Sequence, residues 1–195
     1  MGHHKWTDYS DNPVDLKSPG TRAYMPYVLS RMNWPSESRF RIWYDTASIA
    51  GIGYSTSADG TNWSNGAALT GLNTNGTSPA GRPVVLYDST WAKPYRLYYY
   101  GNPSDVWQIR VAESADGVAF SNDQVALEGG RLGTFPDGHA VVYIPGRNPD
   151  PADPEAARPF VLYFRDKDGK GIAFAESKDV GSTTSISSVA LLQCS

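Results

Sequence analysis

The 195-residue sequence predicts an all-β chain of repeated four-stranded antiparallel sheets. Three observations point there. A turn box, "STSADGTNWS" from Ser55, returns as "AESADGVAFS" from Ala112 and, altered, as "AESKDVGSTTS" from Ala175. Each copy follows the same order of runs, first β-branched and then aromatic, so the whole pattern recurs roughly every 60 residues, as repeat architectures do. Nothing sustains a helical period, while 19 Gly, 14 Pro and 12% aromatic residues suit many turns and short strands.

The elements follow in order. In the first repeat "YMPYVLS" is strand A, "FRIWYD" strand B and "AGIGYSTS" strand C, and "NWSNGAALT" carries strand D. The period is two, so Ile42 and Tyr44 point one way and Arg41 and Trp43 the other. The second repeat reads "VVLYD", "YRLYYYG", "WQIRVAES" and "QVALEG". The third reads "AVVYI", "FVLYFRD", "GIAFAES" and "VALLQ". The repeats span approximately 22–72, 78–129 and 135–193, in a single domain.

The turn box is a fold device. Asp59-Gly60 and Asp116-Gly117 accept the positive φ of a hairpin turn. Ser57 and Ser114 bond nearby backbone and fix it. The aromatic that follows, Trp63 or Phe120, is expected between neighbouring sheets. In the third copy Asp179 is followed by Val180 with no aromatic after it, so that hairpin should be looser.

Four-stranded sheets repeated in this way describe the blades of a β-propeller. The segments "RIWYDTASIAGIGYSTSADGTNW" and "YRLYYYGNPSDVWQIRVAESADGVAF" resemble blades of the five-bladed propeller glycoside hydrolases, the group of arabinanases, β-xylosidases, invertases and levansucrases. The likeness runs over nearly the whole chain, but its motifs are blade motifs. They identify the scaffold better than the chemistry. Residues 1–16 resemble the outer strand of a preceding blade. Three complete blades leave the ring open. The chain is then a piece of a longer protein, which is the favoured reading, or it closes with a second chain, or a repeat has diverged.

The resemblance also selects candidate residues, because in such a propeller the A strands line a channel and the B–C loops surround its mouth. Asp137 is the best inner carboxylate, with Asp45 or Asp105 from a B–C loop as its partner. Glycoside hydrolysis needs two such carboxyl groups, one acting as acid. Arg22, Arg82 and Arg165 are candidates for paired donors to a ligand. His139 suits a sugar hydroxyl, and Trp107 offers a ring face to a sugar. Each has a plainer alternative as packing or surface. For Tyr100 packing is preferred. Glu113 and Glu176, in strand C, read as structural, and the Pro-rich "NPDPADPEAARP" as a solvated loop.

The expected ligand is a carbohydrate. The acid–base set is incomplete, so a non-catalytic propeller that binds glycans or another protein stands beside the hydrolase. A net charge of −3 argues against nucleic acid. No run approaches the length needed to span a bilayer. One usable histidine and scattered aspartates make no metal cluster, and no cofactor is expected. No signal peptide is visible, and the compartment stays open. A single cysteine, Cys194, allows no intrachain disulfide.

Overall fold

The structure is a computed structural model. It describes residues 16, 23–46, 51–73, 80–103, 107–127, 138–148, 150–165, 171–179 and 190–192, the last three as backbone alone. The chain is almost entirely β. The first sheet holds β1 (Tyr24–Ser30), β2 (Phe40–Asp45), β3 (Ile52–Ser57) and β4 (Ala67–Ala68). The second holds β5 (Gly81–Tyr87), β6 (Tyr95–Gly101), β7 (Gln108–Ser114) and β8 (Phe120–Leu127). The third holds β9 (His139–Tyr143), β10 (Phe160–Arg165), β11 (Ile172–Ser177) and β12 (Ala190–Leu192). Each sheet is an antiparallel meander in chain order. The helical residues described are two three-residue 3-10 turns, Ser36–Ser38 and Pro154–Ala156. The second of these gives a short ordered turn inside the Pro-rich loop.

The fourth strand of the first sheet is shorter than the sequence predicts, at Ala67–Ala68. The Leu69 amide still donates to the Ile52 carbonyl at 2.9 Å, but the next residue pairs elsewhere. Thr70 makes a parallel bridge to Ala119 in the second sheet, with the Phe120 amide donating to the Thr70 carbonyl at 3.0 Å. Backbone contact between sheets has replaced one end of the strand. Gly71 makes this possible, because a Cβ there would lie 1.9 Å from the Phe120 carbonyl oxygen.

The turn box forms twice with the same bonds. The Ser57 hydroxyl accepts from the Gly60 amide at 2.9 Å and donates to Asp59 Oδ1, which accepts from the Thr61 and Asn62 amides. Ser114, Asp116, Gly117, Val118 and Ala119 repeat the set. In the third copy the Ser177 hydroxyl turns instead to the Asp179 carbonyl. The aromatic after the box differs between copies. Phe120 is buried in the core between the first two sheets, whereas Trp63 stays half-buried, bridged to Ser57.

Strand registers align the sheets residue by residue. Phe40, Tyr95 and Phe160 stand opposite the box serines Ser57, Ser114 and Ser177. Counting along from there, Trp43, Tyr98 and Tyr163 are equivalent, and so are Asp45, Tyr100 and Arg165. One core lies between the first and second sheets, around Trp43, Leu97 and Val85. Another lies between the second and third, around Tyr100, Ile109 and Phe164. Burying each such side chain contributes about 1.5–3 kcal/mol.

The same aromatic clasp closes both cores. Between the first two sheets, Trp34 meets the Tyr87 ring edge-on at 5.1 Å, and the Arg41 guanidinium lies 4.2 Å above Trp34. Between the second and third, Trp91 meets Tyr143 edge-on at 5.0 Å, and Arg96 lies 3.7 Å above Trp91. Arg41 also bonds the Tyr95 hydroxyl, and Arg96 pairs with Glu113 at 3.7 Å. On the outward face of the third sheet Val161 takes the arginine's place, opposite Glu176. Arg147 stands in the turn position of the tryptophans and forms an ion pair with Glu176. Glu113 and Glu176 are therefore structural, as the sequence reading has them.

Candidate functional site

One rim of the sheets carries Asp45, Arg82, His139 and Arg165. It is formed where β1, β5 and β9 begin and where β2, β6 and β10 end. The three equivalent positions there carry a carboxylate, a phenol and a guanidinium, on Asp45, Tyr100 and Arg165.

Asp45 ends β2 and presses on the first residue of β5. A Cβ on Gly81 would lie 2.5 Å from Asp45 Oδ2, so glycine is what admits the carboxylate. The next residue, Arg82, has φ +54°, a left-handed conformation that costs a non-glycine residue about 1–2 kcal/mol. It sits in a β-bulge, since the register skips between Gly81 and Val84. The first sheet has the same bulge at Met25, φ +51°, also just before a proline. Bulges of this kind re-aim side chains and concentrate near functional sites.

The bulge sends the Arg82 guanidinium over the Tyr100 ring, at 5.5 Å from its centre. On another side of the same ring His139 packs edge-on, with centres 4.9 Å apart. The Tyr100 hydroxyl donates to the Gly138 carbonyl at 3.3 Å. Tyr100 is itself buried in the core between the second and third sheets, as the packing reading expects. It is the floor on which Arg82 and His139 stand. Burial raises its pKa to about 12, so it stays a neutral donor.

His139 makes no well-formed hydrogen bond through either ring nitrogen among the described residues, and the same is true of Arg82 Nη1. Burial lowers the His139 pKa to about 4; the Tyr98 backbone opposes the shift and the Arg82 charge adds to it. At neutral pH the ring is uncharged, with one nitrogen able to donate and the other able to accept. Together with Arg82 it offers donors and an acceptor over an aromatic floor. That set suits a neutral polyhydroxylated ligand, or one carrying an anionic group.

A hollow of about 390 Å³ opens beside His139, lined by Gly138, Ala140, Tyr163, Phe164, Arg165 and Ile172. Trp107 does not line it. Half-buried, it packs against the core between the second and third sheets. Asp137, Asp105 and Arg22 lie outside the described residues, as do residues 1–15. Leu16 is described, and its carbonyl accepts from the Ser55 hydroxyl at 3.3 Å. No group of three potential metal ligands occurs among the described residues, and no described helix is long and apolar enough to cross a membrane. Sequence reasoning missed the bulges. The signal available was the pair of X-Pro steps at Met25-Pro26 and Arg82-Pro83, at matching places in two repeats.

No protein-family model matches the chain, and no curated protein matches it. Solved structures do. It is similar to a putative glycoside hydrolase from Bacteroides ovatus, with 14% identity and a TM-score of 0.54 over 80% of this chain and 47% of that one. It is also similar to a structure described with the GH130 family of mannoside phosphorylases, a family said to contain glycoside hydrolases that target β-1,2-mannosidic linkages in Candida mannan. There the identity is 13% and the TM-score 0.54, over 88% of this chain and 51% of that one. A glycosyl hydrolase from Bacteroides ovatus gives 13% and 0.52, over 88% and 51%. These neighbours are five-bladed β-propeller enzymes. The chain spans about half their length. At such identities the likeness carries the fold, and the fold is that of a partial propeller.

Proposed function

We propose that the chain is a carbohydrate-active propeller of the glycoside hydrolase type, with its sugar held at the rim of Asp45, Arg82, Tyr100 and His139. The observation that carries this reading is the placing of Arg82 and the His139 ring on one buried tyrosine, where neither Arg82 Nη1 nor the ring nitrogens make a well-formed hydrogen bond among the described residues. Buried polar groups without partners are costly, and a ligand that satisfies them recovers that cost. Neutral His139 bonds a sugar hydroxyl, and Arg82 donates beside it. Bond cleavage needs two carboxyl groups roughly 5–10 Å apart. In this reading they are Asp137 as the acid and Asp45 or Asp105 as its partner. The structural neighbours, described as glycoside hydrolases and as relatives of mannoside phosphorylases, direct the choice of substrates.

Binding without turnover is the second reading. It is favoured because Asp45 is the rim carboxylate among the described residues. The deciding experiment incubates the chain with mannosides, arabinosides, xylosides and fructosides, each with and without phosphate, and follows both binding and product release. Turnover that Asp137→Asn abolishes supports the hydrolase. Saturable binding with no product supports the module. Neither binding nor turnover on any of the glycosides sinks both.

A further inference from the structure

The register that aligns the sheets singles out Tyr24. It stands opposite Asp45 at the start of β1, as Gly81 stands opposite Tyr100 at the start of β5. Continued by one residue, the register of β9 and β10 brings Gly138 opposite Arg165. Two of the three equivalent positions therefore carry no side chain, and the third carries a tyrosine. Gly81 has a packing reason, because Asp45 fills the space that a Cβ would need. Tyr24 has none of that kind. It belongs to neither core and is 38% exposed, whereas Tyr44, Tyr99 and Tyr100 are 0%, 0% and 2% exposed. A blade closes its core without a ring at this place, so the ring is available to something outside the fold.

Its direction follows from its neighbours. Residues directly opposite in an antiparallel pair put their side chains on one face of the sheet. Asp45 reaches from that face to Gly81, so Tyr24 lies beside the carboxylate, on the side of the first sheet that meets β5. Arg82 follows Gly81 directly and stands on the Tyr100 ring, with His139 on another side of it. The order along the rim is then Tyr24, Asp45, Arg82 and His139.

We propose that Tyr24 is a stacking platform for a second sugar, so that the rim takes an oligosaccharide of two or more linked residues. This deepens the sugar-binding reading of the rim and rests on it. One sugar lies over Arg82 and His139. The next lays its face of C–H bonds on Tyr24 and turns its edge hydroxyls toward Asp45. A phenol suits that task, having a flat apolar body and a polar tip. Neighbouring sheets pack about 10 Å apart, farther than one sugar ring covers. A ring held by the second and third sheets therefore leaves Tyr24, on the first, to another ring. A lone monosaccharide would leave the tyrosine in water.

Calorimetric titration should compare the methyl glycosides of mannose, arabinose, xylose and fructose with the corresponding trisaccharides. For the sugar that binds, the trisaccharide should bind more tightly than the methyl glycoside. Tyr24→Ala and Tyr24→Leu should weaken the trisaccharide about two- to tenfold, the worth of one aromatic contact, and leave the methyl glycoside unchanged. Tyr24→Phe keeps the flat face and should bind both as the wild type does. Leucine keeps the bulk and loses only the ring, so that variant should hold the wild-type β-sheet spectrum. A trisaccharide that binds no better than the methyl glycoside overturns the inference. So does a Tyr24→Leu protein that binds the trisaccharide as the wild type does, or one that weakens both ligands equally. In those cases the rim still binds sugar. If no glycoside of either length binds the wild type, the rim reading itself falls and the platform with it.

Discussion

The indole of Trp43, in the first sheet, donates to the carbonyl of Gly117, in the turn box of the second, at 2.8 Å and fully buried. Gly117 has φ +84°, and a Cβ there would meet the Trp43 ring at 3.1 Å. Two constraints fall on one glycine, the turn's and the neighbouring sheet's. Gly60, its counterpart in the first box, has φ +83°, but its would-be Cβ lies at an ordinary 3.6 Å from Phe40. Gly60→Ala should therefore cost only the left-handed backbone term, about 1–2 kcal/mol. Gly117→Ala should cost about 2–4 kcal/mol, because overpacking against Trp43 adds to it. Urea denaturation of the two variants measures the difference, and equal losses would refute the Trp43 contact.

What the sequence disclosed and what it hid divide along the same line. The box of Ser114, Asp116 and Gly117 was legible because its bonds close within a few residues. Strand limits such as Phe40–Asp45 were legible because alternation is local. Even the opposite facing of Ile42 and Trp43 could be read from the period of two. The clasp was not. Trp34 lies in a loop and Arg41 in a strand, and each reads as an ordinary residue until Tyr87 and Tyr95, in another sheet, come against them. The shortening of β4 was hidden for the same reason, since Thr70 leaves its own sheet to pair with Ala119. Of the rim, Arg82 and His139 could be chosen by their place at a strand start. Their common floor, Tyr100, shows only when β5, β6 and β9 are assembled.

The box carboxylates should make stability depend on acid. Burial pushes the Asp116 carboxyl up, but the Val118 and Ala119 amides and the Ser114 hydroxyl together hold it below its usual range. Asp59 is held lower as well, first by the Asn62 amide and side chain. A carboxyl with a depressed folded pKa contributes stability above the unfolded pKa, near 3.9, and loses it as the pH falls through the folded value. Unfolding free energy should accordingly drop below about pH 4. Asp116→Asn keeps an acceptor oxygen and deletes the charge, so the drop should become shallower. An unchanged slope in urea titrations across this range would contradict the assignment.

His139 acts in a different window. Its folded pKa is lowered to about 4, against about 6.5 in the unfolded chain. The unfolded state binds the proton first as the pH falls, so this group withdraws stability progressively from about pH 6.5 down to about 4. Imidazole resonances should show one histidine titrating near 4. His139→Gln should remove that resonance and flatten the stability slope in the window. A titration midpoint near 6.5 for His139 would show that the ring is solvated.

The repeated clasp predicts repeated energetics. A double-mutant cycle on Arg96→Met and Trp91→Leu should give a coupling of about 0.5–2 kcal/mol, the range of cation–π contacts from exposed to desolvated. The cycle on Arg41→Met and Trp34→Leu should give a similar value, because ring separations and edge-on geometry match. Additive losses at both sites would mean that the stacking is incidental.

The rim offers a test that separates binding from stability, because Arg82 adopts a backbone better suited to glycine. At φ +54° the side chain costs about 1–2 kcal/mol, and strain of this kind persists where something else requires the residue. Met25, at the same bulge in the first sheet, carries the same strain without a guanidinium. Arg82→Gly relieves the strain but gains unfolded-state entropy worth about 0.5–1 kcal/mol and loses the contact with Tyr100. The net change in stability should lie within about 1 kcal/mol of zero, as it should for Met25→Gly. Sugar binding should part the two variants. Losing a charge-assisted hydrogen bond costs about 1.5–3 kcal/mol, or roughly ten- to a hundredfold in affinity, for Arg82→Gly. Met25→Gly should bind as the wild type does. Calorimetric titration with the best-binding glycoside measures both. If Arg82→Gly binds as the wild type does while His139→Gln does not, the sugar lies on the hollow side of Tyr100 and the guanidinium serves the fold alone.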